Sequence, residues 1–492
     1  MGVLLKFVKG NNIKLFLVFM GLCIIILLNT YTNPNGCISP DSSYYLRLSR
    51  NLVLHEGFYI PDYSAYDGKS FFAIWPVGYP VMIFIMSKLT GLGIVWASKV
   101  LNMLLIGCVL MIFSYLFKEN AHWAALIFYT DANISIFSYT WSEGAFIVFL
   151  ICTSLTLYKS IETGGKPKWL VALLLSGTAL FLTRYIGLIS VIIIGISSLV
   201  VMYRRRWFLS FKLLAVSLLQ LLIILLYLYH NKLTTGFITG GLRTLQTESD
   251  ETLFRQLLSA FKEAIILIRW NIPVLLISGL LMITGIIYLF RKRSKELTAH
   301  KGIWKYLLLS GIVYLLSIVS IRWFYSIEPL NYRFMAPGMF LVLLAFFSGL
   351  MEKPRLKIMR SSLFFLIILA ILGAHYIPGK YAVYKYITTG RFNLENPGYL
   401  ASKNSILQRY KDVEPGSVVI FGSYHLRYLR EDVIPTDIYV KYSLDDMADS
   451  FRRNGNWKIY VNITNDLNPD LIHESFFRFM EQNKDKQVVR VR

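Results

Sequence analysis

An acidic residue follows closely on the first long apolar run of the chain and has two arginines behind it. Asp41 comes after Ser39 and Pro40 at the start of a helical pattern, and Arg47 and Arg50 lie within that pattern. A carboxylate at the membrane surface can act as a general base toward a hydroxyl group, and arginines beside it can hold a phosphate. An aspartate at the start of a helix is also a common N-cap. The pattern leaves catalysis and capping open for Asp41, and the two roles are compatible.

Further charged residues stand at the ends of later apolar runs. Glu143 opens one run, Arg184 separates two, and Arg333 opens another. A guanidinium in this position is suited to a phosphate at the bilayer surface, so both arginines either bind a lipid-linked phosphate or snorkel to ordinary headgroups. Glu143 either takes part in catalysis or complements a helix dipole. Arg243 and Arg322 are weaker candidates for the phosphate.

Polar and aromatic residues of the first polar segment, which lies between the apolar runs at 13–30 and 94–117, could line a sugar pocket. They are His55, Lys69, Trp75 and Tyr79. Aromatic residues are also the usual anchors at a membrane interface, which leaves Trp75 in particular open to that role. The four cysteines show no spacing typical of a disulfide framework or a metal site, and no glycine-rich motif predicts a nucleotide. We therefore predict no cofactor and assign no metal ligands, and whether a divalent metal is needed stays open.

Membrane-spanning helices must position these residues. Of the 492 residues, 55% are hydrophobic, and the mean hydropathy is +0.51. Many apolar runs approach the ~20 residues that cross the hydrocarbon of a bilayer. We predict about eleven spans, at residues 13–30, 94–117, 122–140, 143–160, 168–183, 185–202, 207–230, 271–290, 304–323, 333–350 and 361–378.

The formal net charge of +22 is concentrated in short basic blocks between the spans. These blocks lie at residues 159–168, 204–206, 291–295 and 353–360. Because short basic loops stay in the cytoplasm, the pattern predicts a cytoplasmic N-terminus and an extracytoplasmic C-terminus, and it argues against nucleic-acid binding. Two outer segments are predicted to lie flat on the bilayer: the amphipathic segment 253–266, and the segment 80–91, which is short for a span and contains Lys88. The alternative, in which 80–91 is a further span, would place every later basic block outside the cytoplasm.

Beyond Pro378 the composition changes to that of a soluble domain. Apolar β-branched runs at 417–421, 433–440, 457–463 and 487–491 alternate with helical patterns near 400–411, 444–454 and 468–483. This alternation predicts a small α/β domain with a largely parallel sheet. The expected fold class is thus a mostly α, polytopic membrane protein, with a catalytic transmembrane domain over residues 1–378 and a soluble extracytoplasmic α/β domain over 379–492.

Several motifs together resemble the membrane glycosyltransferases of the GT-C superfamily, and most of all its branch of protein O-mannosyltransferases and aminoarabinose transferases. The early Asp41, the tyrosine-rich helix after it and the turn from Pro76 to Pro80 carry this resemblance. Three later motifs extend it: Thr140-Trp141-Ser142-Glu143, Leu182-Thr183-Arg184-Tyr185-Ile186-Gly187 and Asn331-Tyr332-Arg333-Phe334-Met335-Ala336-Pro337.

The resemblance implies a polyprenyl-phosphate sugar donor and catalytic roles for Asp41 and Glu143. Some relatives place a metal-binding glutamate before the proline-rich turn, and residues 71–76 contain none, which argues against a divalent metal. The absence of a tryptophan-rich motif favours transfer of a single sugar. The predicted substrate-binding residues are Tyr44, Tyr45, Arg47, Arg50, His55, Lys69, Trp75, Tyr79, Arg184, Tyr185, Arg243, Asn331, Tyr332 and Arg333.

We therefore expect an inverting glycosyltransferase that moves one sugar from a polyprenyl phosphate to a hydroxyl of a lipid, glycan or protein acceptor at the outer membrane face. Asp41 activates the acceptor, and Arg184 and Arg333 stabilise the departing phosphate. A lipid-linked sugar flippase or small-solute transporter is the alternative, although no internal repeat is visible. A membrane scaffold is a third possibility. The identity of the sugar and of the acceptor stays open.

Overall fold

The computed structural model describes residues 12–33, 35–61, 69–239, 246, 248–265, 302–325, 328–351, 397–420, 423–430, 432–436, 459–462 and 488–491. The chain forms two compact units. One unit holds the described residues of 12–30, 99–229 and 246–351. The other holds those of 31–98, 230–239 and 397–491.

The described helices are numbered in chain order. They are α1 (Asn12–Thr32), α2 (Pro40–Val53), α3 (Gly78–Thr90), α4 (Ile94–Phe117), α5 (Ala121–Ala124), α6 (Asp131–Ser138), α7 (Glu143–Glu162), α8 (Pro167–Thr183), α9 (Ile189–Tyr203), α10 (Trp207–Thr235), α11 (Asp250–Ile265), α12 (Ile303–Phe324), α13 (Tyr332–Met351), α14 (Pro397–Arg409) and α15 (Leu426–Leu429). The strands are β1 (Tyr59–Pro61), β2 (Lys69–Phe71), β3 (Val418–Ile420), β4 (Ile434–Thr436), β5 (Ile459–Asn462) and β6 (Val488–Val491).

Seven helices in the described part of the chain are long and apolar enough to cross a bilayer. They are α1, α4, α7, α9 with the 3₁₀ turn before it, α10, α12 and α13, and each falls where a span was predicted. The apolar helix α8 is shorter, with 17 residues. The protein is therefore an integral, multi-pass membrane protein. The predicted spans at 271–290 and 361–378 lie outside the described residues.

The predicted span at 122–140 is not a continuous helix. It is divided into α5, a 3₁₀ turn (Ala125–Tyr129) and α6, because Thr130 is extended and its hydroxyl accepts the N–H of Asn133 at 3.3 Å. Two buried residues of α4 then bind the other end of α6: Lys99 Nζ donates to the carbonyl of Ser138 at 2.7 Å, and Asn102 donates to that of Phe137 at 3.0 Å. Side chains that satisfy backbone groups in this way allow a helix to break inside a membrane protein.

Helices α12 and α13 approach each other closely through glycines. A Cβ atom on Gly311 would lie 2.9 Å from the carbonyl oxygen of Gly338, and one on Gly338 would lie 2.6 Å from Leu315. The buried Tyr314 of α12 donates its hydroxyl to the carbonyl of Phe334 at 2.9 Å. Small residues of this kind let membrane helices pack at short range, and the packing here holds the first turn of α13 in place.

The second unit contains the first polar segment and a parallel sheet. Helix α2 packs against α3, where Ser49 donates to the carbonyl of Pro80 at 2.9 Å, and β1 pairs with β2 in an antiparallel hairpin. The four later strands have the order β4-β3-β5-β6, and every pair is parallel. The predicted parallel pairing is confirmed. Of the helices predicted between these strands, those at 444–454 and 468–483 lie outside the described residues.

Candidate active site

The N-cap of α2 is Ser39, and Asp41 stands at the second helical position after Pro40. The Ser39 hydroxyl accepts the N–H of Ser42 at 3.3 Å, and the Ser42 hydroxyl accepts the N–H of Ser39 at 3.0 Å. This reciprocal pair is a capping box, so the interpretation of Asp41 as the N-cap is wrong. Asp41 is a partly exposed acid of the first turn, where the helix dipole favours its negative charge.

Three aromatic residues that were predicted to bind substrate pack together where α2 meets α3 and the segment before it. The Tyr45 and Tyr79 rings are fully buried and meet edge to face at 5.3 Å between centroids, and the partly buried Trp75 lies 6.4 Å from Tyr45. Aromatic pairs in this geometry add to the free energy of packing. Tyr45 and Tyr79 thus hold α2 against its neighbour, on the side away from solvent.

The middle of α2 contacts the segment that follows β3. The guanidinium of Arg427 lies 4.1 Å from the ring centroid of Tyr44 and donates to the Ser43 hydroxyl at 3.2 Å. Arg47 donates to the carbonyl oxygen of Arg427 at 3.3 Å. Burial lowers the pKa of Arg47 to about 10, with a smaller raising effect of Glu56, so the side chain stays charged at neutral pH.

Other predicted residues of the first polar segment lie at the surface of their unit. Arg50 is exposed at the end of α2, and the exposed His55 stands in the following turn with a φ of 64°. Lys69 is exposed in β2, opposite Pro61. These side chains are accessible to a ligand. Arg243 lies outside the described residues.

Glu143, Arg184 and Arg333 form a buried ionic cluster in the first unit. The Glu143 Oε1 atom accepts from both Arg184 Nη1 and Arg333 Nε. Glu143 is fully buried and each arginine is 7% exposed. Oε2 has no hydrogen-bond partner among the residues that the structure describes. The sequence predicted that Arg184 and Arg333 act on one phosphate, but it did not predict that Glu143 binds both of them.

Aromatic residues cover one side of this cluster. The guanidinium of Arg333 lies 4.5 Å from the ring centroid of Trp141, which stacks on Tyr139 at 4.3 Å. A second acid near Arg333 is Glu328, at 4.0 Å and with a side chain 61% exposed. Inside the cluster, one buried carboxylate thus holds two guanidinium groups, and Arg333 has the exposed Glu328 as a second acid beside it.

Local backbone geometry positions both arginines of the cluster, Arg184 and Arg333. Arg184 is the extended residue between α8 and a 3₁₀ turn, and its carbonyl accepts the N–H of Gly187 at 2.8 Å. A Cβ atom on Gly187 would lie 2.5 Å from the Leu180 carbonyl, so only glycine lets this turn fold back on α8. In α13, Asn331 accepts the N–H of Arg333 at 2.9 Å, and Pro337 removes the amide that would bind the carbonyl of Arg333.

The remaining predicted residues near this cluster are partly buried. Tyr185 packs its ring edge to face on Phe181 at 5.9 Å, and Tyr332 forms a side-chain hydrogen bond with Ser135. Asn331 stabilises the first turn of α13 through its bond to the Arg333 amide. These contacts give each of the three residues a local structural role beside the ionic cluster.

Arg322 forms a separate pair at the end of α12. Its Nη2 atom donates to Glu248 at 2.6 Å and to Gln256 of α11 at 3.2 Å, and the arginine is 1% exposed. The hydrogen bond from Arg322 lowers the pKa of Glu248. The two segments predicted to lie flat on the bilayer form the helices α3 and α11, and their position in a bilayer stays a prediction. Arg322 joins the first half of α11 to α12.

Two buried basic residues that hold neighbouring segments in place, Lys99 and Arg427, were not singled out from the sequence. Lys99 is a lysine within an apolar run, and an ionisable residue inside a span is itself a signal of function or of a buried backbone partner. Arg427 lies in the α/β segment, 380 residues beyond Arg47 along the chain, and no local pattern distinguishes it from the other arginines there.

Asp41 and Arg427 belong to the second unit, and the Glu143 cluster belongs to the first. That Asp41 and the cluster serve one substrate remains a prediction. Within the described ranges, no three side chains of His, Cys, Asp or Glu lie together as a set that could hold a metal ion.

Comparison with known proteins identifies the fold. No protein-family model and no curated protein sequence matches the chain. The ArnT structure from Cupriavidus metallidurans bound to undecaprenyl phosphate matches with a TM-score of 0.54 and 13% identity, over 97% of this chain and 89% of that one. The apo state of the same ArnT matches over the same shares at 13% identity and a TM-score of 0.49. The apo oligosaccharyltransferase of Archaeoglobus fulgidus matches at 13% identity and a TM-score of 0.44, over 87% of this chain and 65% of that one. The first of these matches shows that the chain shares the overall fold of that ArnT structure, in agreement with the expected GT-C-like fold.

Proposed function

We propose that the protein is a membrane glycosyltransferase that takes a single sugar from a polyprenyl phosphate at the outer membrane face and transfers it to a hydroxyl of an acceptor. The buried cluster of Glu143, Arg184 and Arg333 is the observation that carries this proposal. Two guanidinium groups held by one carboxylate form a preorganised site for a phosphate, and they lie at the ends of apolar helices, where a lipid phosphate head would lie.

The shared fold supports the proposal that the sugar is carried by a polyprenyl phosphate. The ArnT structure with this fold has undecaprenyl phosphate bound. A polyprenyl chain needs an apolar environment beside a polar phosphate site, and helices rich in outward-facing leucine, isoleucine and phenylalanine provide it. In this proposal Glu143 acts as a positioning residue and not as a base, since its Oε1 atom binds both arginines. It holds the two guanidinium groups in the orientation in which they receive the phosphate.

Asp41 is the proposed general base. Its carboxylate takes the proton of the acceptor hydroxyl while the acceptor oxygen attacks the anomeric carbon of the donor. The bond from that carbon to the phosphate oxygen breaks on the opposite face, and the polyprenyl phosphate leaves with the electron pair. Attack opposite the leaving group inverts the anomeric configuration. Arg184 and Arg333 stabilise the negative charge that grows on the leaving phosphate.

The proposed reaction is tested in cells that lack the protein and are complemented with wild type or with Asp41→Asn, by mass spectrometry of their surface glycans. We expect wild type to restore one glycan mass difference and Asp41→Asn to lower it by ~10²-fold or more, the usual effect of removing a general base. Asp250→Asn is the matched control, because it removes an exposed first-turn acid from α11.

Full glycan levels with a correctly folded Asp41→Asn protein would contradict the mechanism. A wild-type protein that carries polyprenyl-phosphate sugar across vesicle membranes without any transfer would show a flippase or transporter instead. The acceptor is proposed only as a hydroxyl of a lipid, glycan or protein, and the same mass spectra identify both the sugar and the molecule to which it is attached.

A further inference from the structure

The segment that follows β3 holds α2 on both sides of Asp41. Ahead of Asp41, the Tyr424 hydroxyl donates to the carbonyl of Ile38 at 3.2 Å. Behind it, Tyr428 packs in one buried cluster with Ile38 and Leu46. The short helix α15 thus contacts the chain before and after the proposed catalytic residue, within one compact unit.

Arg427 is the central residue of this contact. It is 8% exposed, and its Nη1 atom donates to the hydroxyl of Ser43 at 3.2 Å. The Ser43 hydroxyl in turn donates to the carbonyl of Pro40 at 2.5 Å. A hydrogen-bonded chain therefore runs from Arg427 to the backbone of the residue directly before Asp41, in the first turn of α2.

The other contacts of Arg427 extend along α2 beyond this turn. The guanidinium lies over the ring of Tyr44 at 4.1 Å, and the backbone carbonyl accepts from Arg47 at 3.3 Å. Tyr44 follows Asp41 by three residues and Arg47 follows Tyr44 by three, so each is a neighbour of the one before it on the helix surface. A cation over an aromatic ring and a buried hydrogen bond each restrain the rotation of α2 about its axis.

We propose that Arg427 is a positioning residue that sets the orientation of the Asp41 carboxylate. This proposal rests on the proposed function, in which Asp41 is the general base. It makes the parallel-sheet segment a part of the catalytic apparatus, since the residue that aligns the base belongs to α15, the helix that follows β3. Arg427 itself touches neither donor nor acceptor.

The position of the α15 helix beside the sheet supports such a role. It follows β3, which is flanked by β4 and β5 in the parallel sheet. Rigid elements position functional side chains more accurately than loops do. The buried residues Val419, Leu426 and Val433 tie α15 to the sheet, so a displacement of α15 requires a displacement of the sheet core.

Two variants of the full-length protein test the proposal. Arg427→Ala removes the hydrogen bond to Ser43 and the contact with Tyr44, whereas Arg427→Lys keeps a cation over the ring but loses the planar donor pair. Arg409→Ala is the matched control, because Arg409 is an exposed arginine of α14 in the same unit. Hydrogen exchange of the α2 amides is measured together with the kcat and KM of sugar transfer.

We expect Arg427→Ala to increase exchange at residues 40–47 and to lower kcat by ~10²-fold, because a misplacement of about 1 Å costs that much, with the donor KM nearly unchanged. Arg427→Lys should recover part of both losses, and Arg409→Ala should change neither. If Arg427→Ala does not fold, Arg427→Lys alone must show the smaller loss of kcat and the increased exchange.

Three results would overturn the proposal: wild-type kcat for the folded Arg427→Ala protein, a rise in KM with unchanged kcat, or unchanged exchange in α2. A failure of the proposed function looks different. If wild-type protein transfers no sugar, or if Asp41→Asn is fully active, then the reaction assigned to this protein is wrong, while the exchange measurement still decides whether Arg427 orders α2.

Discussion

At the scale of single residues, the ionic cluster of the first unit is both a structural element and a proposed binding site. Burying a carboxylate and two guanidinium groups costs desolvation free energy, which their mutual attraction offsets only while all three are present. In the proposed function the two guanidinium groups bind a phosphate, and Glu143 fixes their geometry before the ligand arrives.

Glu143→Gln should lower the stability of the protein by about 3 kcal/mol, because it leaves two buried guanidinium groups without their counter-charge. Glu251→Gln is the control, because it breaks an ion pair between side chains that are 73% exposed at Glu251 and 77% at Arg255. Exposed pairs contribute less than about 1 kcal/mol. Thermal unfolding of the detergent-solubilised proteins measures both effects, and equal losses in the two variants would contradict a buried ionic cluster.

At the same scale, the sequence predicted which residues belong to the candidate site better than it predicted which of them pair with each other. Arginines at the ends of apolar helices were identified as candidate site residues, because a charge there needs a partner or water. That Glu143 meets Arg333, 190 residues away, depends on which helices pack side by side, and hydropathy contains no information on that. The capping role left open for Asp41 was wrong, because Ser39 and Ser42 form a reciprocal pair that the spacing alone did not reveal.

At the scale of elements, the path of the chain between α8 and α9 decides where Arg184 stands. The 3₁₀ turn at Tyr185–Leu188 folds back so closely on α8 that residue 187 has no room for a side chain. The positions of span ends were well predicted, because an apolar run ends where polar residues begin. The break at Thr130 was missed, since an averaged hydropathy does not register one threonine whose side chain caps a new helix.

Gly187→Ala should destabilise the protein by about 1–3 kcal/mol and reduce sugar transfer, because its Cβ forces the turn and Arg184 away from α8. The matched control is Gly195→Ala in α9, where no atom lies within 4 Å of the added Cβ. A glycine to alanine change within a helix is expected to stabilise by about 0.5–1 kcal/mol. Unfolding temperature and transfer rate are compared, and a neutral Gly187→Ala would disprove the close approach.

A buried histidine makes the contact between α15 and α2 sensitive to acid. His425 stacks on Tyr424 at 4.2 Å and shares a hydrogen bond of 2.6 Å with the Tyr428 hydroxyl, and burial lowers its pKa from the usual 6.5 to about 4. Between these values the unfolded chain binds a proton that the folded chain does not bind. The contribution of His425 to the free energy of unfolding is therefore fully present above pH 6.5 and is lost as the pH falls toward 4.

The expected loss from His425 at about pH 5 is about 2 kcal/mol relative to about pH 7.5. Unfolding of wild type and of His425→Asn at both pH values isolates this contribution, because the asparagine cannot titrate and the other acids are common to both proteins. The wild type should lose more stability than the variant on acidification. An identical loss in the two proteins would show that His425 accepts a proton in the folded state.

At the scale of the whole molecule, the protein combines apolar helices that carry the ionic cluster with a unit that carries Asp41. The distribution of basic blocks predicts that the short loops at 159–168 and 204–206 are cytoplasmic, and that the first polar segment and the α/β segment are outside. The composition predicted the membrane class, and the alternation of strand and helix patterns predicted the parallel sheet. It did not predict that the first polar segment and the sheet belong to one compact unit, because their contacts join residues 386 positions apart, as between Tyr424 and Ile38.

The central claim is that Asp41 and the cluster of Glu143, Arg184 and Arg333 act on one lipid-linked donor. The most direct test is photocrosslinking with undecaprenyl phosphate that carries a photoreactive group next to the phosphate, followed by mass spectrometry of the labelled peptides. We expect both residues 40–53 and the peptides around Trp141 and Arg333 to be labelled, and excess unlabelled undecaprenyl phosphate to suppress both signals. Labelling of only one of these regions, or labelling that the unlabelled lipid does not suppress, would contradict the claim.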